Sequence, residues 1–385
     1  MSTARAATHT VALVRVLICP DKFAGTVTAA EAAAAIAAGW RDVDPDADLV
    51  EIPLADGGPG MLDSLELALG GSRRVVDTYD PLGRPIEAAY LRVDDTAYIE
   101  SAAACGLHLV DDAERDPSRT TTFGLGLLIA DAIETGARTV VVGLGGSATN
   151  DGGAGLLIPL GLTALDGRGL ALPYGGAALV DCDRLDGSPR LRDAVLVAAT
   201  DVDNPLCGIN GASAVFGPQK GADANDVQVL DHALRRFAAI LAADVEGCPP
   251  DIANLPGSGA AGGAAAALLA LGAQRTSGAA LVRSATGLDA RLDEASLVIT
   301  GEGSFDHQTL GGKIVVNVAN AAAERGLPCT VVAGRVSVGR REAAAAGITR
   351  TYSLAEHYGS VEEAMRRPLD GLRVIGATIA RQWRR

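Results

Sequence analysis

Apolar, β-branched runs alternate with alanine-rich segments along most of this chain. The apolar runs are VALVRVLIC, TVVVGL, SLVITG and CTVVAG, and the segments beside them are TAAEAAAAIAAGW, FGLGLLIADAIETG and REAAAAG. Strands buried on both faces give continuous apolar runs, and the segments between them suit the helices that cover a parallel sheet. The alternation therefore predicts an α/β protein built on parallel sheets.

Two regions break this alternation and predict a second domain. Residues 72–100 alternate apolar and polar side chains around a Pro-Leu-Gly turn, and residues 160–215 mix short strands with turns. The first pattern is typical of antiparallel strands. A length of 385 residues also suggests two domains. We expect a mixed-sheet domain inserted into the first one. The expected boundaries are 11–70, 116–158 and 290–385 for the first domain, and 71–115 and 159–289 for the second.

Charge and composition exclude several classes of partner. The formal net charge is -14, and no lysine- or arginine-rich run occurs, which argues against binding to nucleic acid. No apolar run reaches the roughly 20 residues of a membrane span. A small anionic substrate stays compatible with the acidic surface, because a few local cations and helix N-termini can hold one.

The cysteines and the N-terminal segment predict a cytoplasmic protein. The six cysteines are scattered, without a C-x-x-C pair or a histidine at metal-binding spacing, as reduced thiols would be. The polar segment MSTARAATHT leads into an apolar run that Arg15 interrupts, which is unlike a signal peptide.

A glycine-rich loop, GGSATNDGGAG, follows the apolar run TVVVGL. Its bare backbone at a strand end could point N–H groups at an anion, and Gly145, Gly146, Ser147, Thr149, Asn150 and Asp151 are its candidate binding residues. Two alternatives stay open. Gly143 to Ala148 reads G-x-G-x-x-A, a weak dinucleotide-binding match without the apolar helix that should follow. The loop could also be an ordinary surface turn.

Five further loops contain glycine, and four of them also carry acidic or basic side chains. PGSGAAGG carries Gly257 and Gly259 and suits either an anion site or close packing of small residues. LVITGEGSFDHQTLGGK carries Glu302, Asp306 and Lys313, which suit a Mg²⁺–phosphate site or a solvated turn. The other three loops carry Asp21 with Lys22, Asp56, and Asp201 with Asp203 and Asn204. Together the six loops predict the rim of one cleft that binds phosphates and a metal.

At these residues the chain resembles the bacterial glycerate kinase family. The matching blocks, in order, are PDKFAGTVTAAEAA, PLADGGPG, DPLGRP, PSRTTTFGLGLLI, VVGLGGSATNDGGAG, ATDVDNPLCG, FGPQKGA, PGSGAAGG and GEGSFDHQTLGGK. The resemblance implies transfer of the γ-phosphoryl group of ATP to a hydroxyl of D-glycerate, with Mg²⁺ as cofactor. It also implies two α/β domains, one flavodoxin/Rossmann-like parallel three-layer sandwich and one of mixed sheet.

The needs of phosphoryl transfer suggest roles for the candidate residues. We expect Lys22, Asp56 and Lys313 to be catalytic, and Asp201, Glu302 and Asp306 to hold the metal. Lys220 joins the glycine-loop residues in binding ATP. The favoured product is 2-phosphoglycerate, and a homodimer is left open.

Two positions depart from the family pattern. Ala24 and Ser304 stand where the family often has a lysine and an arginine, and Lys22 could compensate for the first. Loss of these cations would suit a small-acid sensor that binds without turnover, which is one alternative to the kinase. A nicotinamide-dependent oxidoreductase, from the Gly143 match, is the other.

Overall fold

The chain divides into two compact units. The computed structural model describes residues 15–23, 25–310 and 314–384. The first unit comprises Met1–Leu54 and Gly287–Arg385, and the second is the continuous segment Ala55–Thr286. Each unit has its own hydrophobic core.

The division differs from the expected domain boundaries mainly at two segments. Residues 55–70 and 116–158, expected in the first domain, lie in the second unit, and the latter segment contributes a central strand to its sheet. A buried parallel strand such as TVVVG has the same apolar sequence in either sheet, so its pattern does not say which sheet it joins.

The described residues form thirteen strands and sixteen α-helices. The strands are β1 Arg15–Ile18, β2 Asp48–Glu51, β3 Ser72–Tyr79, β4 Pro85–Val93, β5 Thr96–Glu100, β6 Thr139–Gly143, β7 Leu162–Leu165, β8 Arg184–Gly187, β9 Val195–Ala199, β10 Gln274–Thr276, β11 Leu297–Phe305, β12 Cys329–Val336 and β13 Arg350–Ser353. The helices are α1 Ala29–Arg41, α2 Met61–Leu69, α3 Ala102–Cys105, α4 Phe123–Glu134, α5 Ala154–Leu157, α6 Ala212–Phe216, α7 Ala224–Asp244, α8 Ala264–Ala270, α9 Gly278–Ala285, α10 Leu288–Asp293, α11 His307–Leu310, α12 Ile314–Glu324, α13 Arg340–Ala345, α14 Leu354–Tyr358, α15 Val361–Arg366 and α16 Pro368–Trp383.

The sheet of the first unit is entirely parallel. Its order is β13-β12-β11-β1-β2, and β1 pairs with β11 so that Val16 lies opposite Leu297. Counted within the unit, this is the order 2-1-3-4-5 of the flavodoxin-like fold. The prediction of a flavodoxin-like parallel sheet is confirmed. Ligands of such sheets bind beyond the carboxyl ends of the strands, where the loops after β1 and β11 begin.

Helix α1 begins at a capping box and packs closely on α16. Glu31 N donates to Thr28 Oγ1 (3.2 Å) and Thr28 N donates to Glu31 Oε2 (2.9 Å). A Cβ atom added at Gly39 of α1 would collide with the carbonyl oxygen of Arg373, and one added at Gly376 would collide with that of Ile36. The two helices therefore touch backbone to backbone, and the C-terminal helix completes the first unit.

The sheet of the second unit is mixed. Its order is β10-β9-β6-β5-β4-β3. Neighbouring strands from β10 to β5 pair in parallel, whereas β4 pairs antiparallel with both β5 and β3. A separate antiparallel pair joins β7 to β8. The antiparallel strands predicted at residues 72–100 are confirmed. Asp80 fixes their turn, because its Oδ1 accepts hydrogen bonds from the backbone N–H groups of Leu82 (2.8 Å) and Arg84 (2.9 Å).

Two further expectations can be compared with the fold. In the described part of the chain, no helix is long and apolar enough to cross a membrane. All six cysteines lie in that part and are free thiols.

The contact between α1 and α16 should not tolerate one extra methyl group. We expect Gly39→Ala to lower the free energy of unfolding of the first unit by about 1–3 kcal/mol, because overpacking outweighs the better helix propensity of alanine. Trp40 and Trp383 lie on these two helices, so tryptophan fluorescence during urea unfolding measures the effect. Ala34→Ser on the exposed face of α1 is the control and should change stability by less than about 0.5 kcal/mol. Equal stability of the two variants would contradict the close contact.

Candidate active site

The glycine-rich loop after β6 is organised by a buried carboxyl group. Asp151 accepts hydrogen bonds from Thr122 N (2.8 Å), Thr122 Oγ1 (2.9 Å), Gly153 N (3.0 Å) and Gly155 N (3.2 Å). Burial raises the pKa of Asp151, and these hydrogen bonds oppose the shift. No helix begins directly after Gly146, and α5 is a four-residue turn that starts at Ala154. The loop therefore lacks the helix of a dinucleotide-binding fingerprint.

Lys220 forms hydrogen bonds with the same loop. It ends the short 3₁₀ helix Pro218–Lys220, and its Nζ donates to Ser147 Oγ (3.0 Å) and to the carbonyl oxygen of Thr149 (2.6 Å). The side chain is buried, with 2% of the residue exposed. Burial lowers the pKa of Lys220 to about 7, although the nearby Asp151 and Cys105 act in the opposite direction.

The loop that carries Asp56 packs directly on the first glycine loop. A Cβ atom added at Gly145 would lie 2.7 Å from Gly58 Cα, so these two backbones touch with no room for a side chain. Asp56 Oδ1 accepts a hydrogen bond from Gly58 N (3.1 Å). Glu100, at the end of β5, holds the other end of this loop through Gly60 N and Leu62 N, both at 2.9 Å. Burial raises the pKa of Glu100.

The second glycine-rich loop packs against the first. A Cβ atom added at Gly262 would collide with the carbonyl oxygen of Thr149, and Gly152 N donates to Gly262 O (3.0 Å). Gly259 approaches the carbonyl oxygen of Pro205 in the same way, and Gly257 lies against the side chain of Arg275. Of the two interpretations left open for this loop, the structure supports close packing of small residues. Its role in ATP binding stays a prediction.

Asp201 follows β9 and caps α9. Its Oδ1 accepts a hydrogen bond from Ser277 Oγ (2.5 Å), and its Oδ2 accepts one from Ala279 N (2.9 Å). The neighbouring Asp203 forms an ion pair with Arg275, with 2.5 Å between Oδ1 and Nη2. Asp201 thus belongs to the second unit and takes part in a helix N-cap.

Glu302 and Asp306 are linked by Thr309 in the first unit. Glu302 lies on β11 and is 7% exposed, and its Oε1 accepts a hydrogen bond from Thr309 Oγ1 (2.6 Å). Thr309 N donates to Asp306 Oδ1 (3.3 Å). At the end of the adjacent strand β1, Lys22 Nζ lies 3.8 Å from Asp21 Oδ1. Glu302 on β11, Asp306 after β11 and Lys22 after β1 thus lie on or after two neighbouring strands.

The predicted site residues fall into two sets. Lys22, Glu302 and Asp306 lie in the first unit. The second unit holds Asp56, Gly145, Gly146, Ser147, Thr149, Asn150, Asp151, Asp201, Lys220, Gly257 and Gly259. Lys313 and Ala24 lie outside the described residues. Ser304 is exposed, with its Oγ 3.4 Å from Asp306 Oδ2.

Three supporting residues were missed by the sequence analysis. They are Glu100, Thr122 and Thr309, whose hydrogen bonds hold the Asp56 loop, Asp151 and Glu302 respectively. Glu100 is a carboxyl group at the end of a buried strand, a position that could have been noticed. The two threonines lie inside quoted motifs, and nothing in the sequence distinguishes them from their neighbours.

The described residues contain no group of three or more histidine, cysteine, aspartate or glutamate side chains that could hold a metal ion alone. Mg²⁺ in phosphoryl-transfer enzymes is commonly held by one or two carboxylates together with the phosphates of the substrate. The pair Glu302 and Asp306 fits this second arrangement.

Comparison with known proteins decides the family. A model of the glycerate kinase family matches residues 16–384 of the chain. The chain belongs to this family. Glycerate 2-kinase of Escherichia coli K12 is 40% identical over 376 residues, which cover 95% of this chain and 98% of that protein. A glycerate kinase of Halalkalibacterium halodurans is 42% identical over 356 residues, covering 91% and 93%.

A solved structure of the same kind also matches this glycerate kinase family member. It is the crystal structure of a protein assigned as glycerate kinase 2 from Salmonella typhimurium LT2. The TM-score is 0.79 at 38% sequence identity, and the match covers 96% of this chain and 98% of that one. The α/β fold described above is therefore that of the family.

The buried amine of Lys220 should make stability depend on pH. Its pKa falls from an ordinary 10.5 to about 7 in the folded protein, so between these values only the unfolded chain binds the proton. Stability is gained as pH rises from about 7 toward 10.5 and is lost as it falls. We expect this contribution to be about 1 kcal/mol per pH unit.

Urea unfolding followed by circular dichroism at pH 7, 8 and 9 measures this effect. The free energy of unfolding should rise more steeply with pH in the wild type than in Lys220→Met. Arg168→Met, which removes an exposed cation from the same unit, should keep the wild-type slope. Parallel curves for wild type and Lys220→Met would contradict a neutral amine above pH 7.

Proposed function

We propose that this protein transfers the γ-phosphoryl group of ATP to a hydroxyl of D-glycerate and releases 2-phosphoglycerate and ADP. Membership of the glycerate kinase family makes it a kinase that acts on an alcohol group. The observation that carries the proposal is the match to glycerate 2-kinase over nearly the full length of both chains. The acidic and basic side chains at the strand ends of both units support it.

Phosphoryl transfer needs neutralised phosphate oxygens and a correctly placed alcohol more than covalent chemistry. In our proposal Asp56 orients the glycerate hydroxyl and accepts its proton as the oxygen–phosphorus bond forms. Lys22 and Lys313 neutralise phosphate charge. The backbone N–H groups of Gly145 and Gly146 contribute to phosphate binding, together with the second glycine loop.

Mg²⁺ would be held by Glu302 and Asp306. When bound to the phosphates of ATP, such an ion neutralises charge on the transferred group. Thr309 fixes both carboxyl groups, because its hydroxyl donates to Glu302 and its backbone N–H donates to Asp306. Asp201 already accepts two hydrogen bonds at the start of α9, and we assign it a supporting role.

The two alternatives are weaker. The oxidoreductase rests on the Gly143 match, and the loop after Gly146 lacks the required helix. The sensor rests on the absence of cations at Ala24 and Ser304 and is decided by turnover. A cytoplasmic location is part of the proposal and rests on six unpaired cysteines. A homodimer stays a prediction.

Purified protein should release ADP from Mg-ATP only when D-glycerate is present. ³¹P NMR of the product should show 2-phosphoglycerate, and NAD(P) should not be turned over. Well-folded protein that shows no turnover, while ATP or glycerate still raises its melting temperature, would favour the sensor. Formation of 3-phosphoglycerate would still show a glycerate kinase, but with the 3-hydroxyl as the acceptor in place of the 2-hydroxyl.

The hydrogen bond from Thr309 to Glu302 should be needed for metal binding. Thr309→Val keeps the shape of the buried side chain and removes its donor. Since a hydrogen bond to a charged group is worth about 1.5–3 kcal/mol, we expect kcat/KM to fall roughly 10- to 100-fold. The Mg²⁺ concentration for half-maximal thermal stabilisation by ADP should rise as well.

Thr309→Ser is the matched control, because it keeps the hydroxyl. Its kcat/KM and its Mg²⁺ concentration for half-maximal stabilisation should stay within about threefold of the wild type, because the hydroxyl still donates to Glu302. Equal behaviour of the valine and serine variants would remove Thr309 and its bond to Glu302 from the proposed metal site.

A further inference from the structure

Lysine is rare in this chain and is confined to the candidate site loops. The chain has thirty arginines and three lysines, which are Lys22, Lys220 and Lys313. Lys220 is the most buried of those that the structure describes, with 2% of the residue exposed. Burying a polar amine costs free energy unless it is hydrogen-bonded, so the contacts that it makes must offset that cost.

The surroundings of Lys220 suit an amine better than a guanidinium. Its Nζ has two protein acceptors, Ser147 Oγ and the carbonyl oxygen of Thr149. A lysine amine presents its N–H donors at one atom and can lose its charge, whereas arginine brings a planar fork of five N–H groups that always carries its charge. The buried position next to the loop offers a point contact and not a fork.

The acceptors of Lys220 lie in the middle of the first glycine loop. On one side of them, Gly145 touches Gly58 backbone to backbone, and Gly146 lies against the ring of Pro59. Gly58 N in turn donates to Asp56 Oδ1. Contacts therefore run without a break from the buried amine to the carboxyl group of Asp56.

On the other side, Asp151 holds the end of the loop but not its centre. Its carboxyl group bonds to Thr122, Gly153 and Gly155, and to none of the residues 145–149. Removal of the amine would leave the buried carbonyl oxygen of Thr149 without this hydrogen bond, at a cost of roughly 1–3 kcal/mol. Backbone hydrogen bonds from Leu107 N to Gly146 O (2.9 Å) and from Ala148 N to Cys105 O (2.7 Å) also hold the centre of the loop, and Lys220 adds the contacts to Ser147 Oγ and Thr149 O.

We propose that Lys220 is a positioning residue for phosphoryl transfer, whose buried amine fixes Ser147 and Thr149 and thereby the loop that carries Asp56. On sequence grounds we expect Lys220 to bind ATP. The new assignment places its action inside the protein, on the loop that packs against the backbone next to Asp56. It rests on the proposed function, because it acts through the role given to Asp56.

Steady-state kinetics of Lys220→Met provide the first test. Methionine has a similar length and no donor. We expect kcat to fall about 10- to 100-fold, since Asp56 acts in the transition state, while the KM values for ATP and glycerate change less than about threefold. Arg168→Met, an exposed loss of one cation, should have wild-type kinetics. Reduced stability with wild-type kcat per folded molecule would overturn the proposal.

Ser147→Ala keeps the test decisive if Lys220→Met does not fold. It removes one acceptor of the amine and no buried volume beyond an oxygen. We expect kcat of Ser147→Ala alone to fall about three- to tenfold. Where Lys220→Met folds, the double variant should be no slower than Lys220→Met, because both changes break the same contact. Wild-type kinetics of Ser147→Ala, or fully additive effects, would overturn the proposal.

Hydrogen–deuterium exchange tests the positioning without any assay of activity. Amides of residues 144–153 and 56–60 should exchange faster in Lys220→Met and in Ser147→Ala, while those of β3 and β4 keep their wild-type rates. Unchanged exchange in both loops would overturn the proposal. Failure of the proposed function has a different signature: wild-type protein without glycerate-dependent turnover, whatever the exchange rates are.

Discussion

Backbone-to-backbone contact between glycine loops is the constraint on which the site of the second unit depends. Gly145 meets Gly58, Gly262 meets the carbonyl of Thr149, and no side chain fits at either contact. Glycine is often taken as a sign that backbone is bared toward a ligand. Here the same residues bring three loops together at the carboxyl ends of β6 and β9, so that side chains such as Asp56 and Asp151 are held by neighbouring backbone.

Several polar side chains around these loops hold the loop backbone in place by hydrogen bonds. Asp151 and Lys220 are buried and Glu100 is half-buried, and each forms hydrogen bonds that hold one part of a loop. In the first unit Thr309 does the same for Glu302 and Asp306. The precision of a phosphoryl-transfer site depends on such support, since positioning supplies much of its catalysis.

Much of the fold could be predicted because it rests on local patterns. The capping box at Thr28, the antiparallel strands of residues 72–100 and the buried parallel strands each have a signature in the sequence. Membership of a sheet has none, which is why the segment 116–158 was assigned to the other domain. The candidate residues were found by their position at strand ends. Whether a lysine such as Lys220 points toward a ligand or into the protein depends on packing that no local pattern records.

The division of the chain has a consequence for the order of its folding. The second unit is one uninterrupted segment, so all its strands are present once residue 286 has been synthesised. The first unit cannot form at that stage, because β1 needs β11 as a neighbour, and Val16 pairs with Leu297 across most of the chain. Pairings of such long range are slow to form, and domains tend to fold as units during synthesis. Strand β1 is therefore synthesised early but cannot complete its sheet until β11, β12 and β13 have been made.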